Sequence, residues 1–409
     1  MYLRSKARKA KKIKQNVVKK TYFTRSTTRQ TTLKKSAPRK KAKSLVRKEN
    51  LCTLPDDILI EIFSHLDLKS ISKCAMSCSR LNYISKYSTL YKTIHLKYDL
   101  SPNILKSLLS KASCLKRLSI EYQTFDYDDD LFDYLIDDYL DYDIDDFLCD
   151  QFAHAQDNKY FEKYIKLFIQ QLGGKLDFLE VVRCRNRDIL LSISKCTNLK
   201  ELNLTSCKSN FETLITLGNL KKIKFKQCNF SQNTTLAVAV DIIKNNVNLK
   251  KVHLVSNTNV DINKICETLS LNNLQVTDLH LRGYDEINDE SIRSLQNLIN
   301  LKSLVLCYIK CDPVDSLPHL LAACRKLETF EICEWAELND NNFIPALDML
   351  RQLTKLRLDL TDITIKSCRR AVEKLPRLKE MHVHGNGRVH RAQLAKLQKK
   401  FADITIPYY

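Results

Sequence analysis

Few residue groups in this chain have the types and spacing to do chemistry. "HVH" places His382 and His384 on one side of an extended segment, with His390 nearby. Two imidazoles are half of a zinc site, which asks for four ligands, and no Cys pair lies close by. These read as surface histidines in a strand. Asp126, Asp128 and Asp130 have the spacing with which a calcium loop begins. Position six of that loop is Leu131 where Gly is needed, and position twelve is Asp137 where Glu is needed, which argues against an EF-hand. Neither GxGxxG nor GxxxxGK[ST] occurs. No catalytic constellation, metal set or cofactor site is expected, and the chain reads as non-catalytic.

The pattern that does carry a chemistry is cationic. Lys222, Lys224 and Lys226 alternate with apolar residues. Lys251 and His253 do the same, as do His280 and Arg282, beside Asp278. Lys355 and Arg357 make a second, smaller cluster. If each run is a strand with its apolar residues turned inward, the cations share one exposed face, with strands about 4.8 Å apart. A continuous basic patch would suit an acidic or phosphorylated segment of another protein.

A repeat supplies the elements to position these cations. The unit is L-x-x-L-x-L-x-x-C/N, as in "LDFLEVVRC" from Leu176, "LKELNLTSC" from Leu199, "LKKIKFKQC" from Leu220 and "LKKVHLVSN" from Leu249. Looser copies start at Leu115, Val276, Leu301, Leu327, Leu353 and Leu378. From Leu176 onward the starts are 21 to 29 residues apart, the period of leucine-rich repeats. The L-x-L alternation predicts a short strand with one buried face. The Asn suits a turn that bonds neighbouring backbone, and the Cys a small buried hydrophobe. Runs such as "DESIRSLQNLI" (289–299) predict helices between strands. One unit cannot bury its apolar side alone, so the units must stack into a curved parallel sheet with outer helices, an α/β solenoid. Cys196 and Cys324, just before the strand unit, place the array near the cysteine-containing repeat type.

Composition sets the remaining bounds. The chain has 409 residues, ample for a large core, with few glycines and prolines. Fifteen cysteines without a CxxC pair, and no apolar signal at the N-terminus, predict reduced thiols in the cytosol or nucleus. No apolar run is long enough to predict a membrane span. Residues 1–48 hold 19 Lys and Arg and no acid, against a net charge of +20. On that arithmetic the basic character belongs to a disordered tail and not to the folded body. The tail suits nuclear import, contact with RNA or DNA, a mitochondrial presequence, or simple solvation. Phe125–Asp150 carries twelve Asp and no Lys or Arg. It interrupts the repeats as an acidic insertion at 121–158, read as a solvated loop or as an arm for the chain's own basic tail or a basic partner.

Residues 51–97 stand apart from the repeat. In "LPDDILIEIFSHLDL", Leu54, Ile58, Leu59, Ile62, Phe63 and Leu66 recur at helical spacing and predict one apolar face. Pro55 suits a helix start, and Asp56 and Asp57 its positive end. "IFSHLDLKSI" and "CSRLNYISKYSTLYKTIHL" make the segment resemble the F-box, a three-helix module. Leu81 and Tyr91 stand where that family usually has Trp. The order of an F-box at 49–97 and repeats at 98–409 resembles the F-box/leucine-rich-repeat substrate receptors. That resemblance implies binding to a Skp adaptor, and through it to the cullin and RING subunits of an SCF-type ubiquitin ligase. It implies an adaptor surface of Leu54, Pro55, Ile58, Leu59, Ile62, Phe63, Leu66 and Leu68, with the repeats holding a target for ubiquitination and proteasomal degradation. The expected location is the nucleus, the cytoplasm or both. A nuclear nucleic-acid-binding scaffold acting through the basic tail is the alternative.

Overall fold

The computed structural model describes residues 51–122, 159–209, 211–230, 238–311 and 315–407. The basic tail and the body of the acidic insertion, with its Asp126, Asp128 and Asp130, lie outside these residues.

The chain opens with a short 3-10 turn, Leu51–Thr53, and three helices: α1 (Asp56–Ser64), α2 (Leu68–Ser77) and α3 (Ser79–Ile84). A second 3-10 turn, Ser88–Tyr91, leads into strand β1 (Thr93–Lys97). This strand is the edge of an eleven-stranded sheet with order β1-β2-β3-β4-β6-β8-β9-β10-β11-β12-β13. The others are β2 (Arg117–Glu121), β3 (Phe178–Val182), β4 (Glu201–Thr205), β6 (Lys222–Lys226), β8 (Lys251–Val255), β9 (Asp278–Glu286), β10 (Ser303–Lys310), β11 (Thr329–Cys333), β12 (Lys355–Asp359) and β13 (Glu380–His382). Every neighbouring pair is parallel. The two-residue strands β5 (Lys208–Ser209) and β7 (Asn229–Phe230) pair separately. Helices on the return path include α4 (Pro102–Lys111), α5 (Lys159–Leu172), α6 (Arg187–Ser192), α7 (Val238–Asn245), α8 (Ile262–Asn272) and α9 (Asp289–Ser294). The path ends with α10 (Leu317–Ala323), α11 (Asp340–Leu347), α12 (Ile365–Lys374) and α13 (Arg391–Lys400). No helix among the described residues is long and apolar enough to cross a membrane.

The ten repeat copies read from the sequence are ten of these strands. Strand β1 is an eleventh. Ile94 pairs with Leu118 and Leu96 with Ile120, so the sheet begins inside the helical N-terminal segment rather than after residue 97. One continuous apolar core runs from Leu59 to Ile406.

A left-handed residue stands two places after the last inward apolar residue of the unit in nearly every turn: Arg183, Ser206, Gln227, Ser256, Tyr308, Glu334 and Leu360, with Gly283 and Gly385 at the same place. The sharp turn aims each amide at the next strand. Ser206 N donates to Lys226 O (2.8 Å), Gln227 N to Val255 O (2.7 Å) and Leu360 N to His384 O (2.9 Å). Repeated backbone bonding outweighs the steric cost of positive φ at non-glycine residues. The next position is the Cys or Asn of the repeat, and Cys184, Cys207, Cys228, Asn257 and Asn386 are all buried. Asn257 accepts from Cys228 N (2.9 Å) and donates to Phe225 O (2.9 Å) and to Tyr284 Oη (2.8 Å). It ties three turns together, as a buried amide must if its polar atoms are to be satisfied.

Candidate functional surfaces

The first surface lies on the N-terminal helices. Helix α1 starts after Pro55, with Asp56 and Asp57 in its first turn. Arg80 on α3 donates to Leu54 O (2.7 Å) and to Asp56 Oδ1 (2.9 Å), fixing the two helix starts together. Asp67 caps α2 by accepting from Ser70 N (2.6 Å), and hydrogen bonds from Ser70 hold its carboxyl below the usual range. Cys78 caps α3, with Cys52 Sγ 3.5 Å from its thiol. Helix α1 packs on α3 and on the Ser88–Tyr91 turn. That packing takes Leu59 and Phe63 fully inside. Leu81 and Tyr91, which stand at expected Trp positions, are buried as well, and Tyr91 Oη donates to Ser85 O at 2.7 Å.

The single apolar face expected of α1 is therefore two faces. Leu59 and Phe63 belong to the chain's own core and are removed from the partner surface. Ile58 is 49% exposed and Ile62 36% exposed, with Pro55 exposed beside them. Leu54, Leu66 and Leu68 are half-buried at the border. Leu51 in the first 3-10 turn, Met76 on α2 and Tyr83 on α3 are also exposed apolar side chains, and Met76 is the most open at 77%. The expected face did not include them. Five of the thirteen large exposed hydrophobics among the described residues lie in this short segment, which concentrates unpartnered apolar surface here.

The second surface is the face of the sheet away from the helices. Register brings Lys222, Lys251, Asp278, Ser303, Thr329 and Lys355 into one row. Lys224, His253, His280, Val305, Glu331 and Arg357 make the next. The expected residues do share this face, but they do not make a continuous cationic patch. Lys251 pairs with Asp278 (2.9 Å), Lys355 with Glu331 (2.9 Å) and Arg357 with Asp359. His253 and His280 stack with ring centres 4.0 Å apart. Burial, then His280 and Lys222, push His253 down to about 3, and burial lowers His280 also. Both imidazoles are neutral near pH 7. Arg282 lies over the Tyr308 ring at 4.9 Å. Lys222 and Lys224 have no carboxylate partner among the described residues. Lys226 stands on the same strand.

Carboxylates set among the cations account for this outcome: Asp278 and Glu331 face Lys251 and Lys355 from neighbouring strands, and Asp359 lies two residues from Arg357 on the same strand. Among the described residues no three His, Cys, Asp or Glu side chains are grouped to hold a metal ion. His382 is bonded to Glu380, and His384 is exposed.

An F-box-like family model matches residues 51–97. Residues 51–97 are an F-box-like domain. No curated protein matches the chain. Among solved structures the chain is similar to an internalin from Listeria monocytogenes, at 15% identity over 67% of this chain and 69% of that one, with a TM-score of 0.41. It is also similar to the Rad7 and Elc1 complex in yeast, at 14% identity over 86% of this chain and 80% of that one, with a TM-score of 0.45. The F-box-like domain is continuous with the solenoid, because its last residues are strand β1 and its core side chains join the repeat core.

Residues 1–50 carry +18 and residues 123–158 carry −13, so from +20 overall the remaining chain carries +15. The apparent neutrality of the body was cancellation by the acidic insertion. Lys221 and Lys250, absent from the expected site, are exposed contributors to that charge.

Proposed function

We propose that this chain is a substrate receptor of an SCF-type ubiquitin ligase. The F-box-like domain docks a Skp-type adaptor, which connects it to a cullin and a RING subunit. The solenoid holds the target protein. The chain supplies position and not chemistry: target lysines are held near a charged conjugating enzyme, which raises their effective concentration. Ubiquitination would commit the target to proteasomal degradation. The observation that carries this reading is the exposed apolar surface of Pro55, Ile58 and Ile62, set on an F-box-like domain whose own core is already complete. Within the expected adaptor site, Pro55, Ile58 and Ile62 make the contact, Leu54, Leu66 and Leu68 border it, and Leu59 and Phe63 support it from beneath. We place the protein in the nucleus and cytoplasm, with residues 1–48 serving import.

Affinity purification of the full chain from cells tests the reading. Recovery of a Skp-type adaptor and a cullin, lost in Ile58→Glu/Ile62→Glu, supports it. Nuclease-sensitive recovery of RNA without adaptor contradicts it.

A further inference from the structure

The strand ends make a third surface. One residue precedes each strand, and its amide bonds to the same residue of the turn before. Lys221 N donates to Lys200 O (2.7 Å), Lys250 N to Lys221 O (2.8 Å), Thr277 N to Lys250 O (2.8 Å) and Lys302 N to Thr277 O (2.7 Å). These residues therefore stack like rungs along one rim, at the strand spacing of about 4.8 Å. Lys200 and Lys302, toward the two ends, are held by Asp177 (3.1 Å) and Glu328 (3.0 Å). Lys221 and Lys250, between them, are exposed and have no carboxylate partner among the described residues.

Three residues before the rungs at Lys250, Thr277 and Lys302 stand Val247, Leu274 and Ile299, which are 51%, 48% and 56% exposed. The same place holds Thr197 and Gly218 in the turns before, and Arg325 and Arg351 in the turns after. Aliphatic residues thus occupy it in three consecutive turns only. Side chains that bind backbone hold these loops side by side: Asn273 Nδ2 donates to Asn246 O (2.8 Å) and Asn300 Nδ2 to Leu274 O (3.1 Å). Packing of the solenoid does not use these aliphatics, since the inward positions of the same turns are filled by Leu249, Val276 and Leu301.

We propose that this rim docks a target segment in which carboxylates alternate with apolar side chains. The proposal rests on the receptor reading and names the class of target for it. Complementarity supports it: an apolar ridge beside lysines suits a partner with both features. Three turns span on the order of 10 Å, the length of about four residues of extended chain. A track that short, bracketed by Asp177 and Glu328, does not suit a continuous phosphate backbone. The rungs carry lysine and no arginine fork, which favours carboxylates over phosphate groups.

The test uses the full chain co-purified with its adaptor and a fluorescent peptide of about twelve residues alternating Asp and Leu, read by anisotropy. Binding should weaken at least tenfold in Lys221→Glu/Lys250→Glu, and similarly in Val247→Ser/Leu274→Ser/Ile299→Ser. It should also weaken in high salt. An all-Asp peptide should bind at least tenfold more weakly than the alternating one. Arg369→Glu/Lys399→Glu, on α12 and α13, should bind the peptide as the parent does. Melting temperatures and adaptor retention establish that each variant is folded. Failure of the parent to bind the peptide, equal binding by the rim variants, or displacement of the peptide by a short RNA overturns the proposal. So does binding that emerges only when residues 125–150 are deleted, because the rim would then be occupied by the chain's own acidic segment. Loss of adaptor with peptide binding intact would overturn the receptor reading and leave the rim site standing.

Discussion

Ile62 and Phe63 are adjacent in sequence and should behave oppositely. Phe63 is 1% exposed in the core under α1, and Phe63→Ala should cost about 3–5 kcal/mol of stability through lost burial and a cavity. Ile58 and Ile62 keep 49% and 36% of their surface open. Full burial of an isoleucine is worth about 1.5–3 kcal/mol, so covering these remainders contributes roughly 1.3–2.5 kcal/mol together. At 1.4 kcal/mol per tenfold, Ile58→Ala/Ile62→Ala should weaken adaptor binding roughly 8- to 60-fold. The double variant should lower the thermal midpoint less than Phe63→Ala does, since only about half of each isoleucine is packed within the fold while Phe63 is wholly inside it. Calorimetric titration with purified adaptor and thermal melts of the full chain give both quantities. The reasoning is refuted if the isoleucine pair changes Kd by less than twofold, or if Phe63→Ala weakens Kd with its melting temperature unchanged.

Three further outcomes follow from the solenoid. His253 is held near 3 by burial and its neighbours, while the unfolded chain protonates it near 6.5, so its contribution is complete above pH 6.5 and drains as pH falls toward 3. After solvent screening this amounts to about 1 kcal/mol between pH 7 and pH 5, and His253→Gln should lose that much less than the parent over the same interval in urea titrations; equal losses would exclude it. Asn257→Ala strands Cys228 N, Phe225 O and Tyr284 Oη and should cost about 2–3 kcal/mol by urea denaturation, with a cost under about 0.5 kcal/mol counting against the buried ladder. Gly283 has φ +70° with the Ser256 side chain against it, whereas Gly174 has open space. Gly283→Ala should therefore lower stability by about 1–2 kcal/mol and Gly174→Ala should be near neutral, and equal effects would remove the strain argument.

The strands were legible because each leucine of L-x-x-L-x-L does the same work in every turn. Strand β1 was missed because Tyr91 takes the place of the leading Leu, ahead of Ile94 and Leu96, inside the segment that reads as F-box. The helical face of α1 was legible as a group. Its division was not, because spacings of three and four place Ile58 and Leu59 on neighbouring parts of one arc, and the positions of α3 and of the Ser88–Tyr91 turn decide which is covered. Alternation showed that Lys222, His253 and Lys355 lie on the exposed face. Burial holds His253 neutral, and Glu331 pairs with Lys355 across the sheet; both are matters of packing and register and not of local pattern. The rim had a sequence signal: Val247, Leu274 and Ile299 each stand two residues before a repeat unit. Without the rungs there was no reason to distinguish that offset from any other.

Mixing the purified full chain with a purified Skp-type adaptor, and measuring the mass of the product by light scattering after gel filtration, shows whether the exposed F-box-like surface takes an adaptor. A one-to-one complex that forms with the parent and dissociates with Ile58→Glu/Ile62→Glu is the expected result. Two separate species at tens of micromolar, each folded by its thermal melt, would contradict the assignment of the exposed F-box-like surface to an adaptor.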